Sequence, residues 1–133
     1  MTLAFRWIGL LALAAMVGCG GSKRPEPKRY AVQGTVTLDG QPLDGGVVYF
    51  KTPETGAFES FEVKAGKFEG KAEAGKRRVE VNAFREESVQ SGEMKVENKK
   101  NLVPPQFNLQ STLTADVTEA GPNEFSFAVT SKK

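Results

Sequence analysis

The one cysteine of the 133-residue chain, Cys19, is its strongest nucleophile, and the chain has no histidine to activate it. Without histidine the ordinary Ser–His–Asp and Cys–His arrangements are excluded, and so is the commonest zinc ligand. Carboxylates are the remaining acid–base groups. Glu86-Glu87 lies in a polar stretch, where solvated charge is the simpler reading. Asp39 and Asp44 flank "DGQPLDGG", but Pro42-Leu43 stands between them and a turn explains both, so neither a catalytic pair nor a calcium site is expected. Lys76-Arg77-Arg78 is a small basic cluster, read as a solvated strand end in preference to an anion site. No glycine-rich loop leads into a helix to cradle phosphate. Tyr30, Tyr49 and the phenylalanines could form a carbohydrate platform, but most fall at inward-facing positions. Phe58, Phe84 and Phe107 are the ones less well placed in a core. The expectation is a chain with no catalytic residue, no metal and no cofactor.

That leaves Cys19, and its setting is specific. Arg6 and the α-amino group make a short positive start. An apolar run from Trp7 to Val17 follows, about 11 residues against the ~20 that span a bilayer as a helix. This is the layout of an export signal. "MVGC" (Met16 to Cys19) then resembles the cleavage box of bacterial lipoproteins, in which small residues precede a cysteine; Met16 stands where Leu is usual. The resemblance implies that residues 1–18 are a signal peptide and that the Cys19 thiol takes a diacylglyceryl chain as a thioether. Cleavage would then free the Cys19 amino group for further acylation. Two or more chains anchor stably, at ~0.8 kcal/mol per buried methylene. The plainer alternative is a buried cysteine at the end of a core helix. That reading leaves the position and the neighbouring small residues unexplained.

Residues 19–29 read as a flexible, lipid-bearing tether. "GGSKRPEPKR" has nothing to bury, and Pro25 and Pro27 favour extended backbone. Its length is ~30 Å at most, at about 3.3 Å per residue. Lys23, Arg24, Lys28 and Arg29 either attract anionic headgroups or are merely solvated. Gly20 follows the cysteine, so no aspartate stands at the position that retains some lipoproteins in the inner membrane. The expected location is therefore exported and membrane-anchored, at the outer membrane or periplasmic face. Removing residues 1–18 takes away Arg6 and leaves 17 basic and 16 acidic residues. That balance provides no strong field for nucleic acid.

Residues 30–133 are long enough for one core, and no internal disulfide can staple it. Alternation by twos recurs, punctuated by glycine, as in small antiparallel β domains. In "VQGTVTL" one face carries Val32, Gly34, Val36 and Leu38, and Asp39-Gly40 supplies a tight turn. "VVYF" (Val47 to Phe50) is apolar on both faces and belongs centrally. "SFEV" alternates, Lys64-Ala65-Gly66-Lys67 turns, and Phe68 begins the return. Val79, Val81 and Ala83 point one way, with Arg78, Glu80 and Asn82 opposite. Leu113, Ala115 and Val117 face inward, as do Phe125, Phe127 and Val129, with Ala120-Gly121-Pro122-Asn123 joining the two as a hairpin loop. The expected core contains Val36, Val48, Phe50, Phe68, Val79, Val81, Phe125 and Phe127. Glu86 to Gln106 is polar and long. "MKVE" suits a short edge strand and Pro104-Pro105 should end it. This segment reads either as a mobile, partner-facing part or as a variable insertion.

"VQGTVTLDGQPLDGGVVYF" resembles the opening of carboxypeptidase regulatory-like, transthyretin-like domains. The matching residues are Val36, Gly40, Pro42, Leu43, Gly45, Val48 and Phe50. "GKFEGKAEAGKRRVEV" is similar to the next element of that family. The ending "STLTADVTEAGPNEFSF" is similar to small secreted lipoproteins that carry the domain. The resemblance implies a Greek-key β-sandwich of about seven antiparallel strands. Hydrolases and dioxygenases that resemble this fold rely on histidine, which this chain lacks. The expected function is a non-enzymatic, lipid-anchored binding or structural module of the cell envelope. It would hold membrane lipid through Cys19 and meet an envelope protein partner. The alternative is an accessory or regulatory subunit of an envelope enzyme; a stand-alone hydrolase is disfavoured.

Overall fold

The alternating segments become strands in a computed structural model of the protein, which describes residues 20–21 and 24–132. The strands are β1 (Arg29–Leu38), β2 (Gln41–Pro42), β3 (Gly46–Thr52), β4 (Ala57–Val63), β5 (Lys67–Glu73), β6 (Gly75–Ser91), β7 (Met94–Asn101), β8 (Thr114–Val117) and β9 (Glu124–Val129). The only helical element among the described residues is a 3₁₀ turn at Pro105–Phe107. The all-β expectation holds. The count of about seven does not, because β2 is a two-residue strand and the polar segment after Phe84 supplies strand as well.

The strands form two sheets in a sandwich-like arrangement. In the first, β1 pairs with β2, β5 and β9; in the second, β3 lies between β4 and β6, and β6 also pairs with β7 and β8. Not every pairing is antiparallel: β1 and β9 run parallel, with Val36 opposite Phe127. The Ala120–Asn123 link is therefore no hairpin. It carries the chain from β8 in one sheet to β9 in the other. Asn123 fastens this crossing: its Nδ2 donates to the carbonyls of Ala31 and Thr118, and its Oδ1 accepts from the Thr118 amide.

The tight turns fall where the sequence placed them. Asp39 and Gly40 have φ of 51° and 80°, and Ala65 and Gly66 have 49° and 76°. Positive φ at both central residues is the twist-matched hairpin geometry. Between the sheets lies one core. Val36, Val48, Phe50, Phe68, Val79, Val81 and Phe127 are all buried, while Phe125 is half-buried against them. Gly34 lies in this layer because a Cβ there would meet the Phe68 ring at 2.6 Å.

Strand β6 is the spine. Val79, Val81 and Ala83 face the core as expected, but the face opposite is buried too at Glu80 and Asn82. On the side of β6 away from β3, β7 and β8 act as one antiparallel partner interrupted by an excursion. The Leu102 amide donates to Ala83 and the Val79 amide donates to the Leu113 carbonyl, and the residues between leave the sheet. Asn108 closes that excursion by donating to the carbonyls of Val103 and Pro104.

Candidate functional site

Cys19 lies outside the described residues, so the structure places only the chain that follows it. Arg24 to Lys28 are exposed and without regular structure. β1 starts at Arg29, one residue before the boundary read from sequence. Arg29 pairs with Glu73, two residues before β6 begins at Gly75. The segment that precedes β1 thus enters beside the start of β6. From there β6 runs 17 residues, about 50 Å at ~3.3 Å per residue, to its end at Ser91.

The far part of β6 leaves the sandwich. Among the described residues, Phe84 to Ser91 pairs only with Asn101 to Met94 of β7, making a two-stranded arm. Glu86–Gln106, read as a mobile part or an insertion, is a β-hairpin followed by the excursion; "MKVE" lies in strand β7, which ends at Asn101, before Pro104-Pro105 is reached. The turn is Gly92-Glu93, with Gly92 at φ 63°, as a two-residue turn with glycine first requires. One face of the arm carries Arg85, Glu87, Val89, Met94, Val96 and Lys100. The other carries Phe84, Glu86, Gln90, Lys95, Glu97 and Lys99. Val89, Val96 and Met94 are 48%, 47% and 71% exposed. These apolar side chains form one patch near the tip, since Val89 and Val96 are directly opposite. Glu86 and Glu87 point to opposite faces, with Glu86 facing Lys99 and Glu87 3.9 Å from Lys100. They are not an acid–base pair.

The other sequence candidates disperse. Lys76-Arg77-Arg78 is not a solvated strand end. Lys76 is exposed, but Arg77 is buried with its Nη2 2.5 Å from Glu59 Oε2. Arg78 reaches Glu80 and donates to the carbonyls of Asn108 and Leu109. All of these Arg77 and Arg78 contacts are internal. Tyr49 and Phe58 do stack outside the core, with centroids 5.4 Å apart, and Lys51 sits 5.4 Å and 5.6 Å above the two rings. The Lys51 ammonium is already held by Glu80 at 2.7 Å. Phe107 packs against the core, whereas Phe84 is exposed at the root of the arm.

A shallow concavity of about 880 Å³ lies over β1, β5 and β9. Four of its polar side chains bond in pairs, Gln33 to Glu124 at 2.6 Å and Thr35 to Ser126 at 3.1 Å. Among the described residues no cluster of three or more acidic, Cys or His side chains is placed to hold a metal ion.

Asp39 and Asp44 serve separate segments. Asp44 accepts from the Ala65 amide across the turn. Asp39 accepts from the Ser131 hydroxyl at 2.6 Å and from the Ser131 amide at 2.9 Å. These bonds, with Lys132 nearby, hold the Asp39 carboxyl below its ordinary 3.8. A depressed folded value means the contact is fully present above the unfolded pKa and is lost as pH falls through the folded one. The Ser131 amide signal should therefore titrate below pH 3.8, and Asp39→Asn should abolish that titration. A midpoint at or above the ordinary value contradicts this.

Comparison of the chain with protein-family models, with curated proteins and with solved structures finds no match.

Proposed function

We propose that the protein is a lipid-anchored, non-catalytic binding module of the cell envelope, built on a Greek-key, transthyretin-like sandwich and held to the membrane through Cys19. The observation that carries this reading is the placement of tether and arm at opposite ends of β6. An anchor at residue 19 leaves the arm, with its apolar patch, at the end of β6 remote from the anchored segment. The charged groups of the domain support a binding role over catalysis. Arg77, Glu59, Arg78, Glu80 and Lys51 are engaged in internal pairs, and such groups fix structure.

Intact mass of the membrane-extracted protein tests the anchor. The expected species begins at Cys19 and carries acyl chains, and Cys19→Ala should move the protein to the soluble fraction. A free Cys19 thiol on wild-type protein, or a Cys19→Ala variant still in membranes, contradicts the reading. Deleting Ser88 to Lys95 should abolish capture of an envelope partner and leave the denaturation midpoint nearly unchanged. If the captured protein is a stoichiometric envelope enzyme, the accessory-subunit reading takes over.

A further inference from the structure

We propose that the partner of the arm is a second copy of this chain, joined by antiparallel pairing of β7 with β7 about a twofold axis through Val96. The inference rests on the reading of the arm as the binding element, and not on acylation.

β7 pairs only with β6 among the described residues. Ser91 and Met94 close a two-residue hairpin, so they exchange both backbone hydrogen bonds. Met94, Val96, Asn98 and Lys100 therefore turn their N–H and C=O groups toward β6. Lys95, Glu97 and Lys99 turn theirs to the free edge. Antiparallel pairing joins outward-turned residues to one another, so a twofold axis between two β7 strands passes through a residue.

Side-chain charge then selects the residue. An axis through Glu97 sets Glu97 against itself and Lys95 against Lys99 of the second copy. An axis through Lys95 sets Lys95 against itself. Like charges directly opposite destabilise a sheet. An axis through Asn98 matches Glu97 with Lys99. However, it drives the Gly92-Glu93 turn of the second copy against Pro104-Val103, where the chain has already left the strand. An axis through Val96 has neither fault. Lys95 faces Glu97 of the second copy twice over, and Glu93 faces Lys99. The turn of the second copy ends beside Lys99 and Lys100, just short of the body.

Two further features of the arm fit this register. Within its own hairpin Lys95 faces Gln90 and Glu97 faces Ser88. Neither is in a salt bridge among the described residues, while Glu87 and Lys100 are. The second copy supplies the missing opposite charges. On the other face, Val96 meets Val96 of the second copy as a non-hydrogen-bonded pair, with Cα atoms about 4.5 Å apart. Val89, Val96 and their counterparts then form a continuous apolar row across four strands. Each Val96 is then flanked on both sides by an apolar neighbour, Val89 of its own hairpin and Val96 of the second copy. The same alternating charges repel the other registers, which is how an edge strand is kept from unwanted pairing.

Sedimentation of the full-length protein in detergent, with charge reversal, tests this. Wild type should be a dimer. Glu97→Lys and Lys95→Glu should each be monomeric, and the double variant should return to dimer. Both positions face neutral residues in their own hairpin, so each single variant should still unfold cooperatively, with its midpoint lowered only by the lost dimerisation and restored in the double variant. Oxidation should cross-link Val96→Cys into a disulfide dimer, since opposed Cα atoms at that spacing suit the bond. Asn98→Cys, opposite Met94 of the second copy, should not cross-link, and wild type controls for Cys19. Monomeric wild type at every concentration, a double variant that stays monomeric, or cross-linking at Asn98 in place of Val96 would each overturn the proposal. An acylated monomer that captures a different protein defeats self-pairing alone. An unacylated dimer defeats the anchor alone.

Discussion

Phe50→Ala should lower the stability of the domain by about 3–5 kcal/mol, one of the largest losses any single core truncation can cause here. Phe50 is fully buried on the central strand β3 and is the ring at which the two sheets meet. Phe61 of its own sheet lies 5.1 Å away edge-on, and Phe68, Phe125 and Phe127 of the opposite sheet lie at 6.2, 5.7 and 6.5 Å, all near-perpendicular. Edge-to-face pairs add ~0.5–1.5 kcal/mol each beyond area burial, and truncation removes four at once. The surrounding rings sit on paired strands and cannot close the void. A domain of this size has about 5–15 kcal/mol in all, so the urea midpoint should fall by roughly 1–3 M. Phe125→Ala should cost less, because Phe125 is half-buried. A Phe50→Ala midpoint within error of wild type would mean that the sheets do not meet at this ring.

Local rules made part of this architecture legible and left the rest open. Alternation fixes which face a residue takes, and it placed Val32, Val36, Val79, Val81 and Phe127 correctly. Asp39-Gly40 and Ala65-Gly66 fixed their turns through backbone sterics. Alternation does not say which strand is the neighbour. β9 therefore passed for the hairpin partner of β8, when it pairs in parallel with β1 some ninety residues earlier. The arm was missed for a related reason. Both of its faces are solvated, so polar residues on both sides leave no contrast to read. The signal available was Gly92, a turn glycine between two segments of equal length. Arg77 carried a signal as well: it stands in phase with Val79 and Val81, and Glu59 in phase with Phe61 and Val63. Two opposite charges on inward phases of different strands of one sheet are an ion pair waiting for its register. The reading of Cys19 rests on a linear segment that lies outside the described residues.

Arg77→Met should destabilise the domain by about 3–5 kcal/mol, the loss expected when one partner of a buried ion pair is removed. Arg77 is 1% exposed and Glu59 7%. The guanidinium does more than neutralise Glu59. Its Nη1 donates to the Glu73 carbonyl at 3.2 Å and its Nη2 to the Phe50 carbonyl at 3.0 Å. Glu59 in turn accepts from the Glu73 amide at 3.2 Å. The pair thus ties β3, β4 and β6 of one sheet to the end of β5 in the other, beside the point where β1 begins. Methionine keeps the apolar stem of arginine as far as the Nε position, so the larger part of the loss comes from an unpaired buried carboxylate and stranded carbonyls, with a void only where the guanidinium head was. Replacing both partners, Arg77→Met with Glu59→Leu, removes both charges and their desolvation. It should recover most of the loss, leaving only the unpaired Glu73 and Phe50 backbone groups at ~1–3 kcal/mol. The double-mutant cycle should therefore show a coupling energy near the upper end of the ~0.5–3 kcal/mol found between contacting residues. Additive losses in urea denaturation would show that the two side chains do not act as a pair. A harmless Arg77→Met would show that the guanidinium reaches solvent.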